Sequence, residues 1–195
     1  MGGTWSLNTG QNKWSRWLVP ALLAVLLAGL PWETAGAAGM SLKSPAFPRG
    51  GAVPKMYTCQ GGNISPPLHW SGVPSSAKSL VLIVDDPDAP DPKAPKITWV
   101  HWVLYNMPAK DGSLPPAAKS KDLPPGTEEA RNGWGRTGYG GPCPPIGRHR
   151  YFFKLYALDT KLDGLTNPDK DAVVKAMQGH IVEKTELIGT YQKHP

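Results

Sequence analysis

Three separated segments hold the side chains of this chain that could do chemistry. They are Asp85-Asp86-Pro87-Asp88-Ala89-Pro90, Trp99-Val100-His101-Trp102, and the run from Gly138 to Tyr151 that contains Gly141-Pro142-Cys143-Pro144-Pro145-Ile146-Gly147-Arg148-His149-Arg150. Each places a titratable or hydrogen-bonding group at the edge of an apolar run, where a strand would hold it rigidly. Asp86 and Asp88, His101 and His149, and Tyr151 supply two carboxylates, two imidazoles and a phenol beside a glycine-rich loop, a set that suits the holding of a small anion better than nucleophilic attack. Asp86 and Asp88 flank Pro87, whose fixed φ gives the two carboxylates predictable directions. A turn in which each aspartate caps a nearby N–H is the plainer alternative. By simple alternation His101 shares a face with Trp99, Val103 and Tyr105. Buried there, it must find partners for both ring nitrogens, and Asp86 or Asp88 is the expected orienting group. His149 shares a face with Tyr151 and is expected at a strand end, on the rim. Arg148 and Arg150 fall on the opposite face, solvated or paired with Asp86 or Asp159. Glycines from Gly138 to Gly147 would let backbone N–H groups approach a ligand, and Pro144-Pro145 could carry a cis bond.

These groups need strands to position them. Ser79 to Val84 is a continuous apolar run of strand length, ended by the Asp-Pro cluster. Thr98 to Met107 and His149 to Leu158 are two more, and Met56–Thr58, Leu68–Trp70 and Leu187–Gln192 are shorter candidates. One helix is predicted near the C-terminus. Asn167 caps it, Pro168 opens it, Asp169 and Asp171 complement its dipole, and Gly179 stops it. Pro108 to Pro145 reads as one long loop. Short strands separated by Pro/Gly loops, with a single late helix, predict a mostly β fold, a two-sheet antiparallel β-sandwich.

The first forty residues or so read as an export signal: Lys13 and Arg16, then the thirteen residues Leu18 to Leu30, then Ala35-Gly36-Ala37. That apolar stretch is short of the roughly 20 residues that span a bilayer, although an uncleaved anchor in the inner membrane is the alternative. Residues 1–37 are therefore assigned to a signal peptide and 38–195 to one domain, large enough for its own core. Periplasmic or secreted location follows, with membrane contact only through the signal segment. The net charge of +6 is spread without a basic run, which argues against nucleic-acid binding. Cys59 and Cys143 lie 84 positions apart, and an even count in an oxidising compartment invites a disulfide, two buried thiols being the alternative.

The combination of motifs resembles the phosphatidylethanolamine-binding proteins, in their bacterial Raf-kinase-inhibitor-like branch. It is carried by Asp86-Pro87-Asp88-Ala89-Pro90, His101-Trp102-Val103, Gly141-Pro142-Cys143-Pro144-Pro145, and Gly147 with His149, Arg150 and Tyr151. Asn63-Ile64-Ser65-Pro66-Pro67-Leu68 and Glu186-Leu187-Ile188-Gly189-Thr190-Tyr191 also fit, so the likeness runs from about Leu42 to Gln192. The resemblance implies a two-sheet fold with a small anion pocket lined by Asp86, His101, His149 and Tyr151. Gly141, Cys143 and Pro145 would form its wall, with Asp88 beside it. The implied ligands are phosphate-like groups such as phospholipid head groups or phosphorylated side chains, held without turnover, with inhibition or regulation of a partner protein as a further role. No cofactor and no metal is implied. The insert Asp91 to Lys96 lengthens the rim and adds two lysines, and an exported chain does not suit a cytosolic kinase target. A mixed Asp/His site that hydrolyses a phosphoester, with or without a metal, is the competing class. The sequence lacks the His-x-x-x-His or strained-serine patterns that would favour it.

Overall fold

The computed structural model describes residues 1–4 and 39–194, so the expected signal segment lies outside the described residues. Two antiparallel sheets make up the fold. Strands β1 (Ser41–Lys43), β2 (Leu68–Ser71) and β5 (Gly112–Leu114) form a small sheet in the order β1-β2-β5. Strands β3 (Ser79–Ala89), β4 (Ile97–Pro108), β6 (Glu128–Glu129), β7 (Arg148–Leu158) and β8 (Ile181–Gln192) form a larger one in the order β6-β4-β3-β7-β8. The only α-helix among the described residues, α1 (Lys170–Met177), sits late in the chain. The mostly β two-sheet fold read from the sequence is the fold observed.

The core follows from period-two alternation. Leu80, Leu82 and Val84 of β3 join Phe153 and Leu155 of β7 and Trp70 and Leu68 of the small sheet in the inter-sheet core. Val81 and Ile83 point the other way, where Val103, Leu158, Val173 and Met177 close a second core under α1. β3 is thus buried on both faces, which is why its sequence is continuously apolar rather than alternating.

Several boundaries differ from the sequence reading. The β3 strand runs on through the Asp-Pro cluster to Ala89, with its register slipping between Asp86 and Ala89 around Pro87, which has no N–H to give a ladder. In place of the strand expected over Met56–Thr58, a 3-10 turn spans Lys55–Tyr57. The Pro108–Pro145 stretch is interrupted by β5 and β6. The helix is capped by Asp169, whose side chain accepts from the Ala172 N–H at 3.0 Å, and not by Asn167. Asn167 sits at φ 46°, and its carbonyl and that of Pro168 accept from Arg131, which delays the first turn. The cis peptide bond joins Ala89 and Pro90 rather than lying at Pro144-Pro145.

Candidate functional site

The β3–β7 backbone ladder ends at the pair Asp85–Phe152, and side chains take over from there. Asp86 Oδ2 accepts from His149 Nδ1 at 2.7 Å, while its Oδ1 accepts from the Asp88 backbone N–H at 2.8 Å. Asp88 accepts from the Arg150 backbone N–H at 2.9 Å and from its guanidinium at 2.9 and 2.7 Å. The Arg150 hydrogen bond holds the Asp88 carboxyl below the ordinary carboxylate range, against the opposing effect of burial. Two carboxylates thus replace two rungs of ladder. Arg150 pairs with Asp88 and not with the expected Asp86 or Asp159; Asp159 bonds His180 instead. Asp85 belongs to the opposite face by alternation, where Lys154 and Lys170 meet its carboxylate at 2.7 and 3.4 Å.

His149 is not on the rim. It is 0% exposed, and its Nε2 donates to the Ile146 carbonyl at 2.9 Å. Both ring nitrogens of His149 thus have protein partners, and neither is left for a ligand.

His101 departs from simple alternation. Val84 pairs with Trp102 and Asp85 with Val100, leaving His101 as the extra residue of a β-bulge. The bulge turns it away from Val103 and Tyr105 and onto the face of Trp102 and Tyr151. There its ring lies edge-on to Tyr151 and Trp134, with centroids 5.2 and 5.4 Å away. His101 Nδ1 donates to the Gly140 carbonyl at 2.6 Å, and the Gly140 N–H donates back to the His101 carbonyl at 3.0 Å. The orienting group is this backbone clamp, not Asp86 or Asp88. Burial pushes the His101 pKa below its usual value, only partly offset by Gly140 and Asp86.

These elements enclose a cavity of about 380 Å³. Asp86, His101 and His149 line it with Cys143, Pro144 and Pro145, while Ala89, Pro90, Ile97, Trp99 and Trp134 complete a largely apolar wall. Tyr151 is buried behind His101, and burial together with the Asp86 charge raises its pKa far above the ordinary phenol value. His101 Nε2 and the Tyr151 hydroxyl are both buried and find no hydrogen-bond partner among the described residues.

Three expected residues lie outside the cavity lining: Tyr151 (buried behind His101), Asp88 and Gly141. Asp88 turns to Arg150. Gly141 is packed against the 57–63 segment: its N–H donates to Asn63 Oδ1 at 2.7 Å, and a Cβ there would come within 2.5 Å of the Tyr57 carbonyl oxygen. Its glycine is needed for close packing rather than for approach of a ligand. Cys143 bonds Cys59, with Cα atoms 5.4 Å apart, and ties the same wall to the same segment. The sequence reading missed Trp134, Ile97 and Gly140. A lone aromatic between Gly133 and Gly135 was the available signal for the first; a mutual backbone clamp leaves no trace in a residue pattern.

Among the described residues no group of three His, Cys, Asp or Glu side chains is placed to hold a metal, and no helix is long and apolar enough to cross a membrane.

The family profile described as "Phosphatidylethanolamine-binding protein" matches residues 43–192. A UPF0098 protein of Methanothermobacter thermautotrophicus is 49% identical over 158 residues, covering 79% of this chain and 99% of that one. Among solved structures, a phosphatidylethanolamine-binding protein homologue of Chlamydia trachomatis is 44% identical with a TM-score of 0.73, over 80% of this chain and 99% of that one. YbcL of E. coli, described as a member of the mammalian PEBP family, is 33% identical with a TM-score of 0.72, over 80% and 100%. This chain belongs to the phosphatidylethanolamine-binding protein family.

Proposed function

We propose that the cavity between β3, β4 and β7 receives a phosphate-like group, presented by a phospholipid head group or another phosphorylated molecule, and that the protein binds it without turnover. The observation that carries this reading is the buried His101 Nε2, without a protein partner among the described residues at a cavity whose wall is largely proline, aromatic and aliphatic, with the Tyr151 hydroxyl buried behind it. Buried polar atoms are rarely left unpaired, and each such atom costs about 1–3 kcal/mol. A ligand group that pairs with His101 Nε2 recovers that cost. Small-molecule sites commonly combine an apolar wall with a few fixed polar groups. Asp86 and His149 hold the frame, since they bond each other, the Asp88 N–H and the Ile146 carbonyl.

The reading includes export. Residues 1–37 carry the signal pattern, and a disulfide such as Cys59–Cys143 persists in oxidising compartments. A regulatory role would follow if a partner protein supplies the phosphorylated group. Calorimetric titration of the purified protein with phosphate and phosphoethanolamine tests the reading: saturable binding that His101→Ala abolishes supports it, and the absence of binding to either overturns it.

A further inference from the structure

We propose that the end of the large sheet where the cavity opens is a membrane-docking surface, which sets the cavity mouth against a bilayer that contains anionic phospholipid. This rests on the reading of the cavity as a site for a phosphate-like group, and it names where that group is met: on a head group still seated in its bilayer. The sequence reading gave membrane contact to the signal segment alone.

Topology brings the parts together. β3 ends and β4 begins at the pair Ala89–Ile97, and β7 begins at Arg148. These strands are antiparallel to β3, so the 90–96 turn and the loop ahead of β7 lie at the same end of the sheet. They also meet: a Cβ on Gly147 would come within 3.0 Å of the Pro92 ring. The 133–140 segment joins them through the Gly133 N–H, which donates to the Val100 carbonyl at 2.8 Å, and through the Gly140–His101 clamp.

Three large apolar side chains are exposed at this end. Ile97 and Trp134, 52% and 44% exposed, line the cavity, and Ile146, 55% exposed, follows Pro145 of the cavity wall. Single exposed apolar residues need no explanation. These three border one cavity, and tryptophan favours the boundary between head groups and hydrocarbon.

The charge here is mostly of one sign. Lys96 precedes Ile97, Lys93 lies on the same turn, Arg148 follows Gly147, and the Arg136 guanidinium stands 5.9 Å from the Trp134 ring centre. All four are exposed, and none has an ion-pair partner among the described residues. The one acid of these loops, Asp91, accepts from the Lys93 N–H at 2.9 Å. At the far end of the sheet the loops are balanced, with Lys78, Lys110 and Lys161 against Asp111, Asp159 and Asp163.

An anionic bilayer attracts basic residues, and apolar side chains set among them enter between the head groups, so the two contributions add. The apolar side chains alternate with cations rather than gathering in one patch. That suits a chemically mixed head-group layer better than the apolar centre of a protein interface.

Hydrogen exchange of the full chain, read segment by segment, tests this with vesicles of phosphatidylcholine alone and with phosphatidylglycerol added. Exchange over 91–97 and 133–147 is expected to slow on the anionic vesicles only, while 109–111 and 159–164 stay unchanged. In Lys93→Glu/Lys96→Glu, which leaves residues 1–37 untouched, the lipid concentration for half-protection is expected to rise at least roughly tenfold, since each basic residue near an anionic surface contributes about fivefold. Phosphoethanolamine binding by the wild-type protein, read by calorimetry, separates the two readings. Equal exchange at the two ends, or the same protection on both vesicle types, overturns the docking surface and leaves the cavity reading standing where phosphoethanolamine binds. Unchanged exchange on both vesicle types is also what an acidic protein as the true occupant would give. Failure to bind phosphoethanolamine overturns the cavity reading and this proposal with it. The wild-type comparison decides the matter even if the variant does not fold.

Discussion

Asp86 and His149 close a 2.7 Å hydrogen bond immediately beyond the last β3–β7 backbone pair, so a buried side-chain bridge continues the sheet where the ladder stops. Both groups are nearly inaccessible, and the second nitrogen of the ring is held by Ile146. Removing one member of such a pair leaves the other without compensation. Asp86→Ala is therefore expected to lower the unfolding free energy by about 3–5 kcal/mol, read from urea denaturation at pH 7. A loss below about 1 kcal/mol would mean that the bridge is incidental to the fold.

Acid should destabilise the protein through His101. The folded-state pKa lies below the ordinary 6.5 because burial disfavours the charged ring. The unfolded chain therefore takes up the proton first as pH falls, and this shifts the balance toward unfolding. The stability that His101 contributes in its neutral form is complete above about pH 6.5 and declines as pH drops from there toward the folded-state value. His101→Asn, which keeps an N–H for the Gly140 carbonyl but does not titrate, is expected to flatten the stability profile between pH 7 and 5.5 relative to wild type. Parallel profiles for the two proteins would refute this account.

What the sequence made legible was whatever rests on alternation and composition. The apolar runs located β3, β4 and β7 to within a few residues at most ends, and the shared face of His149 and Tyr151 follows from strict period two. His101 escaped because a single inserted residue reverses a strand's faces, and no residue type near position 101 announces the bulge. The role of Gly141 was misjudged for a related reason. A glycine tolerates an unusual backbone and also tolerates close packing, and only the position of the Tyr57 carbonyl and Asn63 decides between them. Arg150 was assigned to the correct face, yet its partner depended on the bend around Pro87 that brings Asp88 to β7.

The Cys59–Cys143 bond fastens the cavity wall to the segment behind it, alongside the 3.1 Å hydrogen bond from the Cys59 N–H to the Pro142 carbonyl. It closes a long loop, with a sequence separation of 84. In the chain-entropy description such a cross-link contributes about 4 kcal/mol. The double variant Cys59→Ser/Cys143→Ser is expected to lose most of that stability in denaturant unfolding. It should also bind phosphate more weakly, because Cys143, Pro144 and Pro145 line the cavity. Unchanged phosphate affinity in a folded double variant would separate the wall from the site.

Trp134 offers a way to divide the pocket's apolar contribution from its polar one. It is 44% exposed, unlike most of the lining, and its ring stands edge-on to both Trp99 and His101 at 5.3 and 5.4 Å. A bare phosphate needs only the polar floor, whereas an aryl phosphate also places its ring among these aromatics. Aromatic contacts of this kind contribute about 0.5–1.5 kcal/mol beyond area burial. Trp134→Ala should therefore weaken phenyl phosphate by roughly three- to tenfold, with inorganic phosphate held within about threefold. The same change strips cover from His101, so the ring should titrate closer to its ordinary value, which an NMR pH titration would detect. The two effects separate by ligand: loss of ring contact penalises only the aryl compound, whereas easier protonation of His101 favours every anion, sulfate included. If phenyl phosphate and phosphate weaken equally, Trp134 acts by supporting Gly140 and His101 rather than by touching the ligand.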